Sequence, residues 1–158
     1  MATDVLDHPH ADVTEARSAL AWLVPLGRVL FALIFVQSGL SHFSHQTIAY
    51  AASQGVPAAS FFVPLSGAIA VLGGLGLAFG YQSRIAALLL VVFLVPVTFR
   101  MHAFWNESDA MMAMNQRIHF MKNIAMLGAA LFFLYMGGGP LSLDALRRHP
   151  HRAAAAAP

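Results

Sequence analysis

Four apolar stretches, each read as one membrane-crossing helix, dominate this 158-residue chain at about 19–40, 58–80, 85–101 and 118–136. A helix needs about 20 residues to cross the hydrocarbon core of a bilayer. The first two stretches meet that length outright: one carries only Arg28 as a charge, the other none. The third is strictly apolar only over 85–99 and reaches a full span when Arg84 and Arg100 snorkel from its two ends. The fourth has Lys122 near its start, which must snorkel or face the bundle. The runs are continuous rather than alternating, which argues against the strands of a β-barrel. Backbone groups in lipid must be satisfied internally, so each run is a helix. The expected fold is an all-α membrane protein, a four-transmembrane-helix bundle.

Composition removes the competing classes. Hydrophobic residues make up 58% of the chain and charged residues 10%, against about 25% charged in an average soluble domain. A soluble domain of this size could not cover its surface with so few charges, and disorder requires low hydrophobicity. There are no cysteines, so the chain itself supplies no disulfide, thiolate-bound cluster or dithiol relay. The net charge of +2 comes from a few clustered arginines, without the basic stripe that nucleic acid would need.

Polar segments divide the runs. Residues 1–18 form a tail with Asp4, Asp7, Asp12 and Glu15, and they lack the basic start and apolar core of a signal peptide. Residues 12–15 could open a short amphipathic helix. The membrane domain covers 19–146 and a basic, alanine-rich tail covers 147–158. Breaks fall at 42–57, at the turn 81–84, along a Met-rich connector at 101–117, and at 137–140, where three glycines and Pro140 stop the last helix. With both termini in the cytoplasm, that side holds Arg17, Arg28, Arg84, Arg147, Arg148 and Arg152, and the outer side holds Arg100, Arg117 and Lys122. The bias favours this orientation.

In the second span, Ser66, Ala70, Gly74 and Ala78 follow one another at i+4 and form a ridge of small residues; Gly76 and Gly80 add a GxxxG spacing on another face. The ridge suits packing inside the bundle, with a homo-oligomer contact as the alternative.

Polar side chains collect at the outer face. The first span ends with Gln37, Ser38 and His42, followed by His45; the third ends with Thr98, Arg100 and His102, followed by Trp105 and Asn106. The fourth begins with Gln116, His119, Lys122 and Asn123, the last three sharing a helix face. Ionisable groups at membrane depth usually face the bundle and often mark function. For the single residues, an interfacial or belt role is the bland reading, and this applies to Tyr50 and Trp105 above all. On the inner side, Arg28 and Asp144 are expected to form a structural ion pair that ties the C-terminal segment under the bundle. Met111, Met112, Met114 and Met121 lie near His102 and His119 in sequence, but no fixed ligand spacing accompanies them, which disfavours copper. No two histidines lie deep in the apolar runs, which disfavours haem. No metal site is expected.

The order of several short motifs is similar to that of the DoxX family of small bacterial membrane proteins. These are Gly27-Arg28-Val29 and Gln37-Ser38-Gly39-Leu40, then Leu72-Gly73-Gly74-Leu75-Gly76, then Ser83-Arg84-Ile85-Ala86-Ala87-Leu88. Pro96-Val97-Thr98, His102-Ala103-Phe104-Trp105, Phe120-Met121-Lys122-Asn123 and Gly139-Pro140-Leu141-Ser142-Leu143-Asp144 complete the series, which covers about residues 20–146. The resemblance implies four transmembrane helices in a bacterial inner membrane and a role in membrane redox chemistry, the family name coming from a thiosulfate:quinone oxidoreductase. Many members carry a Lys where this chain has Ser41-His42, and a Glu where it has Leu65-Ser66-Gly67.

The expected function is an integral membrane subunit of a quinone-linked oxidoreductase system, working in the bilayer with a redox partner protein. His102 and Lys122 are its candidate catalytic groups. Gln37, His42, Arg100, Trp105, His119 and Asn123 are the candidate lining of a pocket for a quinone headgroup or small substrate. The alternative is a non-catalytic accessory or assembly subunit of a larger respiratory complex. A transporter is the weakest class, because four spans are few and no inverted repeat is evident.

Overall fold

The computed structural model describes residues 19–147; the tail at 1–18, with its helix start at 12–15, and the tail beyond Arg147 lie outside the described residues. The elements are α1 (Leu23–Ser41), α2 (His45–Ser53), α3 (Ala59–Phe79), α4 (Ser83–Met101), a 3-10 turn (Phe104–Asn106) and α5 (Ala110–Met136). A final helical stretch occupies 143–147, and no strand occurs among the described residues. Four helices are long and apolar enough to cross a membrane: α1, α3, α4 with its 3-10 turn, and α5. The four-span helical architecture expected from hydropathy is the one found.

Local chemistry sets the ends. Ser44 opens α2 by accepting a hydrogen bond from the Thr47 amide at 3.2 Å, and Asp109 opens α5 through the Met112 amide at 2.8 Å. Both are side-chain caps for otherwise unpaired amides. Gly80, at φ 65°, closes α3 in the left-handed conformation that glycine adopts without strain. Pro64 and Pro96 lie inside α3 and α4, as neighbouring helices in a membrane bundle allow. Near the second of them, the Thr98 hydroxyl donates to the Leu94 carbonyl at 2.6 Å.

Two elements depart from the hydropathy reading. The last span starts at Ala110 instead of about 118, because Asp109 caps it and the following Met-rich sequence consists of good helix formers. Its 27 residues give a rod of about 40 Å, longer than the roughly 30 Å hydrocarbon core. The first loop also contains a helix, α2, which seats Ala51 on Ala59 and Val63 with Ile48, Val56 and Met101 around them. Nine residues are too few to register as a span.

The long helices pack in chain order, α1 on α3, α3 on α4 and α4 on α5, around Phe35, Ala70, Leu77, Leu90, Phe93, Leu94 and Ala130. The closest crossing joins α1 and α3. A Cβ at Gly67 would lie 2.6 Å from the Gly39 carbonyl oxygen, and one at Gly39 would lie 2.7 Å from the Gly67 carbonyl oxygen. Within the small-residue ridge, Ala70 is fully buried and Gly74 meets Ala32, Phe35 and Val36 of α1; off the ridge, Gly73 and Gly76 meet Leu90 and Ala86 of α4. Outward faces carry Leu30, Leu72 and Phe132, each about 60% exposed, a surface that lipid satisfies and water would not.

Candidate functional site

The bundle has a terminal end, where α1 starts and α5 stops, and a loop end, where α1 and α4 stop and α5 starts. At the loop end, His102 follows the last turn of α4, its amide bonded to the Thr98 carbonyl. The half-buried ring reaches α5, with Nδ1 2.8 Å from Gln116 Oε1. An amide oxygen only accepts, so Nδ1 carries the proton of this bond and Nε2 is the remaining nitrogen. Gln116 is buried, and its Nε2 points to the Tyr50 hydroxyl of α2 at 3.5 Å. One side-chain chain therefore links α2, α5 and α4.

His119 stacks on His102 with ring centroids 5.2 Å apart and planes 25° apart. Its Nδ1 lies 3.1 Å from Lys122 Nζ. An ammonium only donates, so Nδ1 accepts and the proton of this neutral ring sits on Nε2. The pair thus presents one unprotonated and one protonated Nε2, with the exposed Lys122 ammonium on the far nitrogen of His119. Asn123, one turn further along α5, is 5% exposed, and its amide has no hydrogen-bond partner among the described residues. Among the described residues, Arg28 Nε is the buried side-chain nitrogen or oxygen that lacks a partner, so the Asn123 amide keeps access to the surface and can meet an incoming acceptor or donor.

An aromatic wall flanks the cluster. Phe120 meets Phe99, Phe104 and Trp105 edge-on at 5.5, 5.5 and 5.8 Å. Trp105 keeps one side exposed.

The remaining predicted residues lie elsewhere. Arg100 is exposed and donates to the Gly55 carbonyl, tying the end of α2 to α4. His42 bonds the Ser38 carbonyl through Nδ1 at 2.6 Å and sets its ring edge-on to Phe93 at 5.7 Å. Gln37 lies on the exposed face of α1, apart from the His102–Gln116–Tyr50 group. Lys122 is exposed as well and joins the group through His119. Sequence reasoning treated Tyr50 as a belt residue and left Gln116 out of the pocket lining. The stripe Gln116, His119, Asn123 at i, i+3 and i+7 was the available signal for the second. Among the described residues no three potential metal ligands of the His, Asp or Glu type gather.

The terminal end is built from a buried arginine and a carboxylate clamp. Arg28, 1% exposed, donates to the Gly138 carbonyl and to the Leu141 carbonyl at 2.8 Å. Asp144 accepts from the Gln82 amide at 2.7 Å and from the Ser83 amide and hydroxyl at 2.8 and 2.7 Å. Both residues therefore fasten the C-terminal segment under the bundle. Gly80 is required between them: a Cβ there would lie 2.7 Å from Arg28 Nη1.

A bundle of four apolar helices, with charge confined to its two ends, is a small multi-pass membrane protein. The chain belongs to the DoxX family, whose model, described as DoxX, matches residues 23–103. That match takes in α1 to α4 and stops just after His102, so the α5 half of the polar cluster lies beyond it. The chain is also similar to the inner membrane protein YqjF of Escherichia coli (strain K12), with 29% identity over 125 residues, 78% of this chain and 90% of the relative. No solved structure matches it. The family, the relative and the apolar helices agree on a multi-pass protein of the bacterial inner membrane.

Proposed function

We propose that this chain is the membrane subunit of a quinone-linked oxidoreductase system and that its loop end holds the quinone headgroup. The observation that carries the reading is the Asn123 amide, which makes no hydrogen bond among the described residues, on the α5 face that also holds His119 stacked on His102. A quinone has carbonyl oxygens that accept hydrogen bonds and a flat ring. Asn123 and the His119 Nε2–H are donors, and Phe120 with Trp105 forms an apolar wall for the ring. When bound, the quinone would supply two-electron, two-proton chemistry. His102, oriented by Gln116, offers Nε2 as a proton acceptor. Lys122 keeps His119 in the Nδ1-accepting form. The sequence contains no cysteine for an iron–sulfur centre, so the reading includes a partner protein that exchanges electrons with the quinone. Both termini in the cytoplasm would put this end at the outer leaflet.

The test uses the purified protein in nanodiscs. Trp105 emission is followed during titration with a short-chain ubiquinone or menaquinone, and mild-detergent extracts are assayed for bound quinone. Saturable quenching that weakens at least tenfold in Asn123→Leu, with an unchanged melting temperature, supports the reading. A quinone-free preparation with no saturable quenching rejects it and favours an accessory subunit.

A further inference from the structure

Two adjoining clefts open on the outer surface of α3 and α4 at the terminal end, far from the histidine pair. The first has a volume of about 390 Å³ and is walled by Leu72, Leu75, Phe79, Ile85, Leu89 and Leu143, among others. The second, about 320 Å³, is lined by Gln82, Ser83, Arg84, Ile85, Asp144 and Arg147. They share Gln82 and Ile85, so an apolar trough on the span runs directly into a charged one at its end.

The charge in that second cleft is directional. Asp144 turns its carboxylate onto the Gln82 and Ser83 amides and the Ser83 hydroxyl. Arg84 gives one donor to the Tyr135 carbonyl at 3.1 Å, and a guanidinium has five N–H donors. Arg147 lies over the Tyr81 ring, 4.6 Å from its centroid, and Tyr81 itself lines the apolar cleft. Two arginines thus face one engaged carboxylate, and the sequence continues with Arg148 and Arg152.

We infer that this double cleft is a specific site for an anionic phospholipid, with an acyl chain along α3 and α4 and the phosphate between Arg84 and Arg147. The occupant follows from the two halves together. The walls belong to membrane spans, with Leu72 and Phe79 each more than 60% exposed, which selects a lipid chain. The excess of guanidinium at the boundary selects a headgroup of net negative charge over a zwitterionic one.

The full chain is released from nanodiscs of equal phosphatidylglycerol and phosphatidylcholine, and the retained lipid is measured by native mass spectrometry. Phosphatidylglycerol should be retained in preference, and the preference should fall about fivefold in Arg147→Gln. Leu75→Trp, which fills the apolar trough and leaves both arginines, should lower retention of either lipid. Equal retention of the two lipids by the unaltered protein overturns the inference, as does a preference that Arg147→Gln leaves intact. Soluble glycerol phosphate competing as well as the whole lipid overturns it too, since the apolar trough would then contribute nothing. The site lies at the opposite end from Asn123, so either outcome leaves the quinone reading where it stands.

Discussion

Asp144 binds Ser83 twice, accepting from its amide at 2.8 Å and its hydroxyl at 2.7 Å across 61 positions of sequence. Gln82, held at φ 43° in the left-handed region, gives its own amide to the same carboxylate. The clamp therefore caps α4 from outside the helix and also holds a turn that a non-glycine residue adopts only with strain. Asp144→Ala should lower stability by about 2 kcal/mol, the scale of a lost cap and charge-assisted hydrogen bonds. Asp144→Asn keeps an acceptor and should lose about half of that. Thermal unfolding in detergent would decide, and an unchanged midpoint in Asp144→Ala would show that the clamp contributes nothing.

Arg28 works on the other side of the same segment. Its donors satisfy the Gly138 and Leu141 carbonyls where the chain leaves α5. Arg28→Met should cost about 3 kcal/mol, because buried carbonyls lose donors that water cannot replace. Arg28→Lys has a single ammonium where the fork stood and should recover only part. Limited proteolysis gives the independent readout: residues 138–147 should become cleavable in Arg28→Met while the spans stay protected. Equal protection in both proteins would remove the lock from the account.

Glycines at the α1–α3 crossing make a third, sharply opposed pair of expectations. In Gly67→Ala the new methyl would sit 2.6 Å from the Gly39 carbonyl oxygen and 2.7 Å from His42 Cβ. Neither atom is the free end of a flexible side chain, so the helices must separate, at a cost of about 1–3 kcal/mol. Gly128 lies in α5 with nothing within 4 Å of its would-be Cβ. Gly128→Ala should be neutral or stabilising by up to about 1 kcal/mol, through helix propensity alone. Melting temperatures that move in the same direction for both variants would contradict the crossing described above.

How much of this was readable from the sequence depends on what each feature leaves in the letters. Span positions were legible because crossing a bilayer demands length and apolarity together, and little else in the chain has both. Helix α2 and the first turns of α5 leave no such mark: they lie where polar residues are tolerated, and only the caps Ser44 and Asp109 announce them. Facing was harder. Lipid is as apolar as the core, so α1 shows no polar stripe from which to tell Gln37, on the outside, from its neighbours Phe35 and Gly39, on the inside. Arg28 was legible as a charge needing company at the end that also holds Asp144. Its acceptors are backbone carbonyls at Gly138 and Leu141, which no side-chain pattern names.

His102 and Gln116 provide the prediction that bears most directly on the loop-end site, and it can be read without any ligand. The 2.8 Å contact to an amide oxygen fixes the proton on Nδ1 and leaves Nε2 as the unprotonated nitrogen. Selective nitrogen-15 labelling of histidine should therefore show His102 predominantly as the Nδ1–H tautomer in the unaltered protein. Gln116→Leu keeps the bulk and removes the acceptor, so the resonance should shift toward the Nε2–H form that free imidazole prefers. Gln116→Glu restores an acceptor and should restore the tautomer. Quinone affinity should follow the same order, weakest in Gln116→Leu and recovered in Gln116→Glu. A tautomer that ignores both substitutions would mean that Gln116 merely fills space, whereas a tautomer that switches without any change in quinone affinity would separate the hydrogen-bond geometry from the function proposed for it.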